Sequence, residues 1–269
     1  MYNNPVTVKS IVTSDKHKFD LIINKSHSDI TNAIILMTHG IFTDKHEKGR
    51  FDKLSNLLCE NNFTTARFDF RGHGDSPIEF SQFTVTGAVI DYWTVLRELN
   101  KSFNLPIIVI GSSFGGSIVL LCEFFNVIPI KTFIFINPVV DYISTFIKPQ
   151  LNWGKEIFTD TAIQEIQQNG IGPLGNGYRI SDTFLYELST YKPYEAFDLI
   201  KNTPTIVFHG TEDDKVPLDS AVIHCEKRNN IKLDIVSGGG HAFKTDHHQN
   251  LVYQRILNWA KDHFSRGGL

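Results

Sequence analysis

The sequence is short of the features that mark several large protein classes. It holds three cysteines in 269 residues, Cys59, Cys122 and Cys225, an odd and widely spaced set. That argues against a disulfide-stapled scaffold and suits a reducing compartment. No run approaches the roughly 18 to 20 apolar residues of a membrane span. The best stretch, 107–125, is broken by three glycines and three serines. The opening MYNNPVTVKS lacks a basic patch leading into an apolar run, so no secretory leader is expected. Basic clusters are missing as well: the densest, 45–50, is interrupted by Glu47, and the net charge is −3. Neither nucleic acid nor an anionic membrane is therefore an expected partner. A soluble, cytoplasmic protein is the expectation.

What is present reads as one α/β domain. At 41% hydrophobic and 20% charged residues, the chain can bury a sizeable core without disulfide or metal staples. Short runs rich in β-branched and aromatic residues recur at 34–37, 65–70, 107–110, 133–136, 205–208 and 233–236. Most are continuously apolar rather than alternating, as strands of a parallel sheet covered on both faces must be. Between them, Val89, Tyr92, Trp93 and Leu96 repeat with helical period, as do Tyr253, Ile256, Leu257 and Ala260. The alternation predicts a mostly parallel central sheet with helices on both faces. Residues 6–13 and 19–23 predict an antiparallel hairpin at its start. From about 139 to 191 the rhythm stops, and glycines crowd a stretch rich in aromatics. That length is too great for a plain loop and predicts a cap inserted into a single domain spanning 1–269.

Chemistry concentrates at three places. Gly111-Ser112-Ser113-Phe114-Gly115 fits G-x-S-x-G, with an apolar strand before it and a helix-like run, 117–125, after it. A strand-to-helix turn this sharp strains its middle residue and lifts the hydroxyl of Ser113 clear of the sheet. A phosphate loop is excluded, because Ser117-Ile118 stand where Lys-Ser/Thr is required. A serine hydroxyl needs a base held by an acid. Glu212, Asp213 and Asp214 follow the apolar strand 205–208, and His241 follows the last strand on Ser237-Gly238-Gly239-Gly240.

His241 is the expected base among eleven histidines. His17, His27 and His46 fall in polar loop-like stretches, and His224 and His263 at surface helix positions. His247 and His248 could suggest a metal cluster with His241, but no second compact ligand group completes one. Two backbone N–H groups are expected to meet the oxyanion, those of Phe114 and of Ile41 in His39-Gly40-Ile41. His39 is expected to be a structural residue of that turn.

These motifs resemble the α/β-hydrolases, and the chain is similar to the single-domain carboxylesterases that include the cinnamoyl and feruloyl esterases. The match rests on 39–43, on Arg67-Phe68-Asp69-Phe70-Arg71-Gly72-His73-Gly74-Asp75-Ser76, on 111–116, on 209–217 and on Gly240-His241. Tyr191 to Ala196 resembles the esterase branch too. The resemblance implies Asp213 as the acid beside Ser113 and His241, and N–H groups of Ile41 and Phe114 as the oxyanion hole. It makes 69–76 a structural loop flanking the site. The family usually carries a bulkier residue where Ile41 stands, and its cap varies greatly. By the same resemblance the substrate is a small acyl ester or thioester, and no metal or organic cofactor is implied. Acyl transfer, thioester hydrolysis and aminopeptidase-like cleavage would use the same three residues. Tyr142, Phe146, Trp153, Phe158, Tyr178 and Tyr186 offer the cap's apolar walls, with Trp153 and Tyr178 the expected substrate-binding residues.

Overall fold

The apolar runs form strands because each is apolar on both alternating faces, so both faces need cover. The computed structural model describes residues 6–265. Positions 1–5 and 266–269 of the expected domain, including the first five residues of the segment read for a secretory leader, lie outside the described residues. Strands β1 (Val6–Val12) and β2 (Lys18–Asn24) form the expected hairpin, and β2 pairs antiparallel with β4 (Thr64–Phe68). The remaining strands run parallel: β3 (Ile34–Thr38), β5 (Ile107–Ser112), β6 (Ile130–Ile136), β9 (Thr205–Glu212) and β10 (Ile231–Gly240). The sheet order is β1-β2-β4-β3-β5-β6-β9-β10.

Alternation then assigns the faces. Ile34, Leu36, Val109, Phe133, Phe135 and Val207 pack with helices α2 (Val85–Ser102) and α3 (Phe114–Cys122). Their neighbours Ile35, Met37, Ile108, Ile110, Ile134 and Phe208 pack with α1 (Arg50–Cys59) and α8 (Asp246–Ser265). Helix α7 (Leu218–Cys225) connects β9 to β10. The three cysteines are buried and unpaired. Among the described residues, no helix is long and apolar enough to cross a membrane.

Three boundaries differ from the expected ones, each for a local reason. The run 65–70 leaves the ladder after Phe68, because the Phe70 N–H donates to His39 Nε2 (3.0 Å) and the Arg71 N–H to Asp91 (2.9 Å). Helix α3 begins at Phe114 rather than Ser117, directly after Ser113. The glycines 238–240 belong to β10 rather than to a loop, with the β9 register shifting between Val236 and Gly240. Backbones approach so closely there that a Cβ on Gly210 would lie 2.0 Å from the Gly239 carbonyl oxygen.

Where the β/α rhythm stops, the chain is mostly helical. It makes a π-helical turn (Ile143–Ile147), α4 (Asn152–Ile157), α5 (Asp160–Asn169) and α6 (Asp182–Thr190). Between the last two lies the short ribbon of β7 (Ile171–Pro173) and β8 (Arg179–Ser181). Thr159 and Ser181 cap α5 and α6, accepting from the N–H groups of Ala162 and Phe184. Phe146, Phe158, Leu174, Phe184 and Leu188 join the same apolar cluster as α2 and α3.

Candidate active site

The carboxyl end of β5 is a forced turn. Ser113 has φ 50° and ψ −120°, a conformation that costs about 1–3 kcal/mol and persists only where its surroundings impose it. The surroundings do. Its N–H donates to the Ile136 carbonyl (2.9 Å), and its own carbonyl accepts from Gly116 (3.1 Å) and Val139 (3.0 Å). The flanking glycines are steric necessities: a Cβ on Gly111 would lie 2.7 Å from Gly116 Cα. One on Gly115 would lie 2.5 Å from the His39 carbonyl oxygen.

The loops after β9 and β10 bring Asp213 and His241 together. His241 Nδ1 lies 2.9 Å and 3.0 Å from the two Asp213 carboxylate oxygens. An ionised carboxylate only accepts, so Nδ1 carries the hydrogen and Nε2 is the basic nitrogen. Asp213 also accepts from the N–H groups of Lys215 and Val216, both at 2.9 Å, and its side chain is 1% exposed. Burial alone would raise its pKa. The charge and hydrogen bond of His241, with smaller help from His209 and the Val216 N–H, outweigh burial and hold it at about 2. Asp214 is exposed, and no side chain caps α7, which starts behind Pro217. His241 is followed by two left-handed residues, Ala242 (φ 61°) and Phe243 (φ 50°), and the buried Phe243 ring anchors that turn in the α1/α8 cluster.

Two contributors were given no role by the sequence, although His209 falls within the matched segment 209–217. Asn137, fully buried at the end of β6 with φ 45°, donates from Nδ2 to Asp213 at 2.6 Å. His209 donates from Nε2 to the Val216 carbonyl (3.1 Å), and burial lowers its pKa, so it braces the acid's loop as a neutral ring. Only the topology, with β6 beside β9, reveals Asn137's role.

The other histidines settle into structural roles. His39 Nδ1 donates to the Gly40 carbonyl (2.8 Å) while Nε2 accepts from Phe70, so both ring nitrogens are engaged. His17 lies in the loop between β1 and β2, as expected, but is buried there and stacked on Phe19. His224 lies in α7 stacked on Tyr194, and His46 faces Asp52. His248 binds Thr245 and the Ser237 carbonyl, and among the described residues no group of His, Cys, Asp and Glu could hold a metal ion. The 69–76 loop is tied down by Asp69, which takes the buried Lys45 ammonium at 2.6 Å and the Asp75 N–H at 2.9 Å.

Ser113 and His241 line one cleft of about 200 Å³, together with Ile41, Phe42, Phe146 and Trp153. The Phe114 N–H, first in α3, has no intrahelical acceptor. The turn after β3 that carries Ile41 is held by Glu47, whose Oε1 accepts from the Gly40 N–H at 2.5 Å. Of the two expected substrate-binding residues, Trp153 lines the cleft. Tyr178 stands one layer out, its ring tilted against Phe42 (4.6 Å) and edge-on to Phe80 (4.8 Å). Tyr142 is fully buried and donates to Ser117, while Tyr186 is exposed.

A parallel sheet with a strained serine at a strand-to-helix turn, and an acid and a histidine on the loops after two later strands, defines the α/β-hydrolase fold. Solved structures agree. Est1E from Butyrivibrio proteoclasticus, determined with ferulic acid bound, is similar at a TM-score of 0.81 and 21% identity, over 96% of this chain and 100% of that one. The alpha/beta hydrolase GrgF from Penicillium sp. sh18 is similar at 0.75 and 17%, covering 97% and 98%. The Pyrococcus furiosus esterase Pf2001 follows at 0.71 and 15%, covering 97% and 93%. No curated protein matches the sequence. The chain belongs to the prolyl oligopeptidase family, whose model matches residues 50–267.

Proposed function

We propose that the protein is a serine esterase cleaving small carboxylic esters or thioesters through an acyl-enzyme on Ser113. The observation that carries the reading is the Asp213–His241 pair, at 2.9 Å, opening on the cleft that the strained Ser113 also lines. In this reading Ser113 Oγ attacks the carbonyl carbon while His241 Nε2 takes its proton. The N–H groups of Ile41 and Phe114 receive the tetrahedral oxyanion. Collapse breaks the bond to the leaving alcohol or thiol, which takes the proton back from His241. Water, deprotonated by the same histidine, then releases the acid and restores Ser113. The whole chain is one hydrolase domain in this account. Residues 139–191 act as its cap, and Trp153 and Phe146 bound the acyl group.

The family's name favours a second reading, peptide hydrolysis. A peptidase that reads a free amino terminus needs an available carboxylate for the ammonium. Glu47, the carboxylate among the cleft-lining residues, is already engaged by the Gly40 N–H and Arg50. Ester cleavage is therefore preferred. The reading is tested with p-nitrophenyl esters from acetyl to octanoyl and with aminoacyl p-nitroanilides. Ester hydrolysis that is lost in Ser113→Ala, with a chain-length profile that shifts in Trp153→Ala, supports it. Turnover of the anilides alone would replace it with the peptidase reading.

A further inference from the structure

Resting on that esterase reading, we propose that the substrate carries a carboxylate, on its acyl or its leaving portion, held by Lys48, Lys215 and Lys244. The chain as a whole has a net charge of −3, yet Lys48, Arg50, Lys215 and Lys244 all line the cleft, against the single carboxylate of Glu47. Arg50 and Glu47 pair with each other and neutralise one another locally. Among the described residues the three lysines have no carboxylate within the 4.0 Å of an ion pair.

Their convergence is unusual in its origin. Lys48 sits on the loop before α1, Lys215 on the loop after β9, and Lys244 on the loop after β10, so three separate segments aim like charges at one place. Lys48 is held in a left-handed conformation (φ 55°) between Glu47 (φ 49°) and Gly49 (φ 83°). Lys215 is half-buried, its ammonium 5.3 Å from the centre of the Trp153 ring, which directs it along the cleft wall rather than into bulk water. Burial, then Lys244 and Lys48, push that ammonium below its ordinary pKa, against the pull of Asp214 and Asp213. Like charges gathered without a partner repel, and an anion placed among them removes the repulsion. The cleft's volume of about 200 Å³ falls below the 300–1,000 Å³ usual for larger ligands, so a compact acid ester fits better than a bulky one.

The test compares kcat/KM within matched pairs of esters. For the acyl side the pair is mono-p-nitrophenyl glutarate and p-nitrophenyl valerate. For the leaving side it is 4-acetoxyphenylacetate and p-tolyl acetate. At low salt, one anionic member should be favoured by about tenfold or more, which is about 1.4 kcal/mol. The preference should shrink at high salt, a readout that needs only the wild-type protein. In Lys215→Gln and Lys244→Gln the ratio within the favoured pair should fall towards one, and the arm that responds locates the carboxylate. Ratios at or below one in both arms, or a preference unmoved by salt and by both variants, overturn the proposal while leaving the esterase reading standing. If no ester of either pair is cleaved and Ser113 takes no fluorophosphonate, the esterase reading itself fails and the proposal falls with it.

Discussion

Replacing Asp213 with Asn measures how far the reaction depends on the orientation of His241. The native carboxylate offers both oxygens to His241 Nδ1, at 2.9 and 3.0 Å, and takes Asn137, Lys215 and Val216 on its remaining lone pairs. Asn keeps one oxygen, enough to hold the two backbone N–H groups and the loop they shape. Its other arm is a donor, which drives the hydrogen of His241 to Nε2 and, in the proposed mechanism, removes the base that Ser113 needs. Loss of the orienting acid in a serine triad costs about 10⁴ in kcat, or about 5.5 kcal/mol of barrier. The assay is kcat on p-nitrophenyl butyrate, with the thermal melt followed in parallel. Asp213→Asn should lose about four orders of magnitude while still folding, and Asp214→Asn, at an exposed position, should keep most turnover. A folded Asp213→Asn enzyme within tenfold of wild type would refute the reasoning, and a large loss at Asp214 would move the acid there.

The low pKa of Asp213 also has a stability consequence. Its folded value, about 2, lies below the unfolded carboxylate's, so its contribution is complete above about pH 5 and is lost as pH falls from about 4 through 2. That contribution is about 2 kcal/mol, and urea unfolding at pH 5 and pH 2.5 should give a smaller drop in Asp213→Asn than in wild type; equal drops would contradict it. Asn137→Ala removes the 2.6 Å bond to Asp213 and should lower kcat about tenfold, the worth of a hydrogen bond to a charged group, whereas unchanged kcat would make Asn137 merely structural. Gly40→Ala places a Cβ 3.1 Å from Ser113 Cβ and 3.5 Å from its Oγ. It should displace the nucleophile and cut kcat by about tenfold or more with little change in melting temperature; full activity would mean that the turn yields without consequence.

Legibility in the sequence followed the length scale of the interactions. The buried strands, the hairpin and the serine turn were readable because each is dictated by neighbours within a few residues: an apolar run, a polar turn, small residues around a strained serine. The start of α3 was placed three residues late, because the apolar run begins only after Gly115 and Gly116, whereas close backbone contacts, such as that of Gly115 with the His39 carbonyl, require glycine in the first turn. Asn137 was silent because its role depends on β6 lying beside β9, a pairing that no local pattern encodes. The segment 139–191 was legible as an interruption but not in detail. Trp153 and Tyr178 are both aromatic residues in it, and only tertiary packing places one against the cleft and the other behind Phe42. The lysines were invisible for the same reason: 45–50 is an ordinary charged loop until the loops after β9 and β10 bring Lys215 and Lys244 to the cleft that Lys48 also lines.

The proposed mechanism depends on chemical activation of one serine, Ser113. Reaction of the folded protein with a fluorophosphonate probe, followed by peptide mapping in a mass spectrometer, probes that activation, because only a hydroxyl with a working base reacts quickly. A single adduct on Ser113 is expected, one that disappears in Ser113→Ala and forms far more slowly in Asp213→Asn. An adduct on Ser112 or on a serine outside the cleft, or labelling of Ser113→Ala at the wild-type rate, would contradict it.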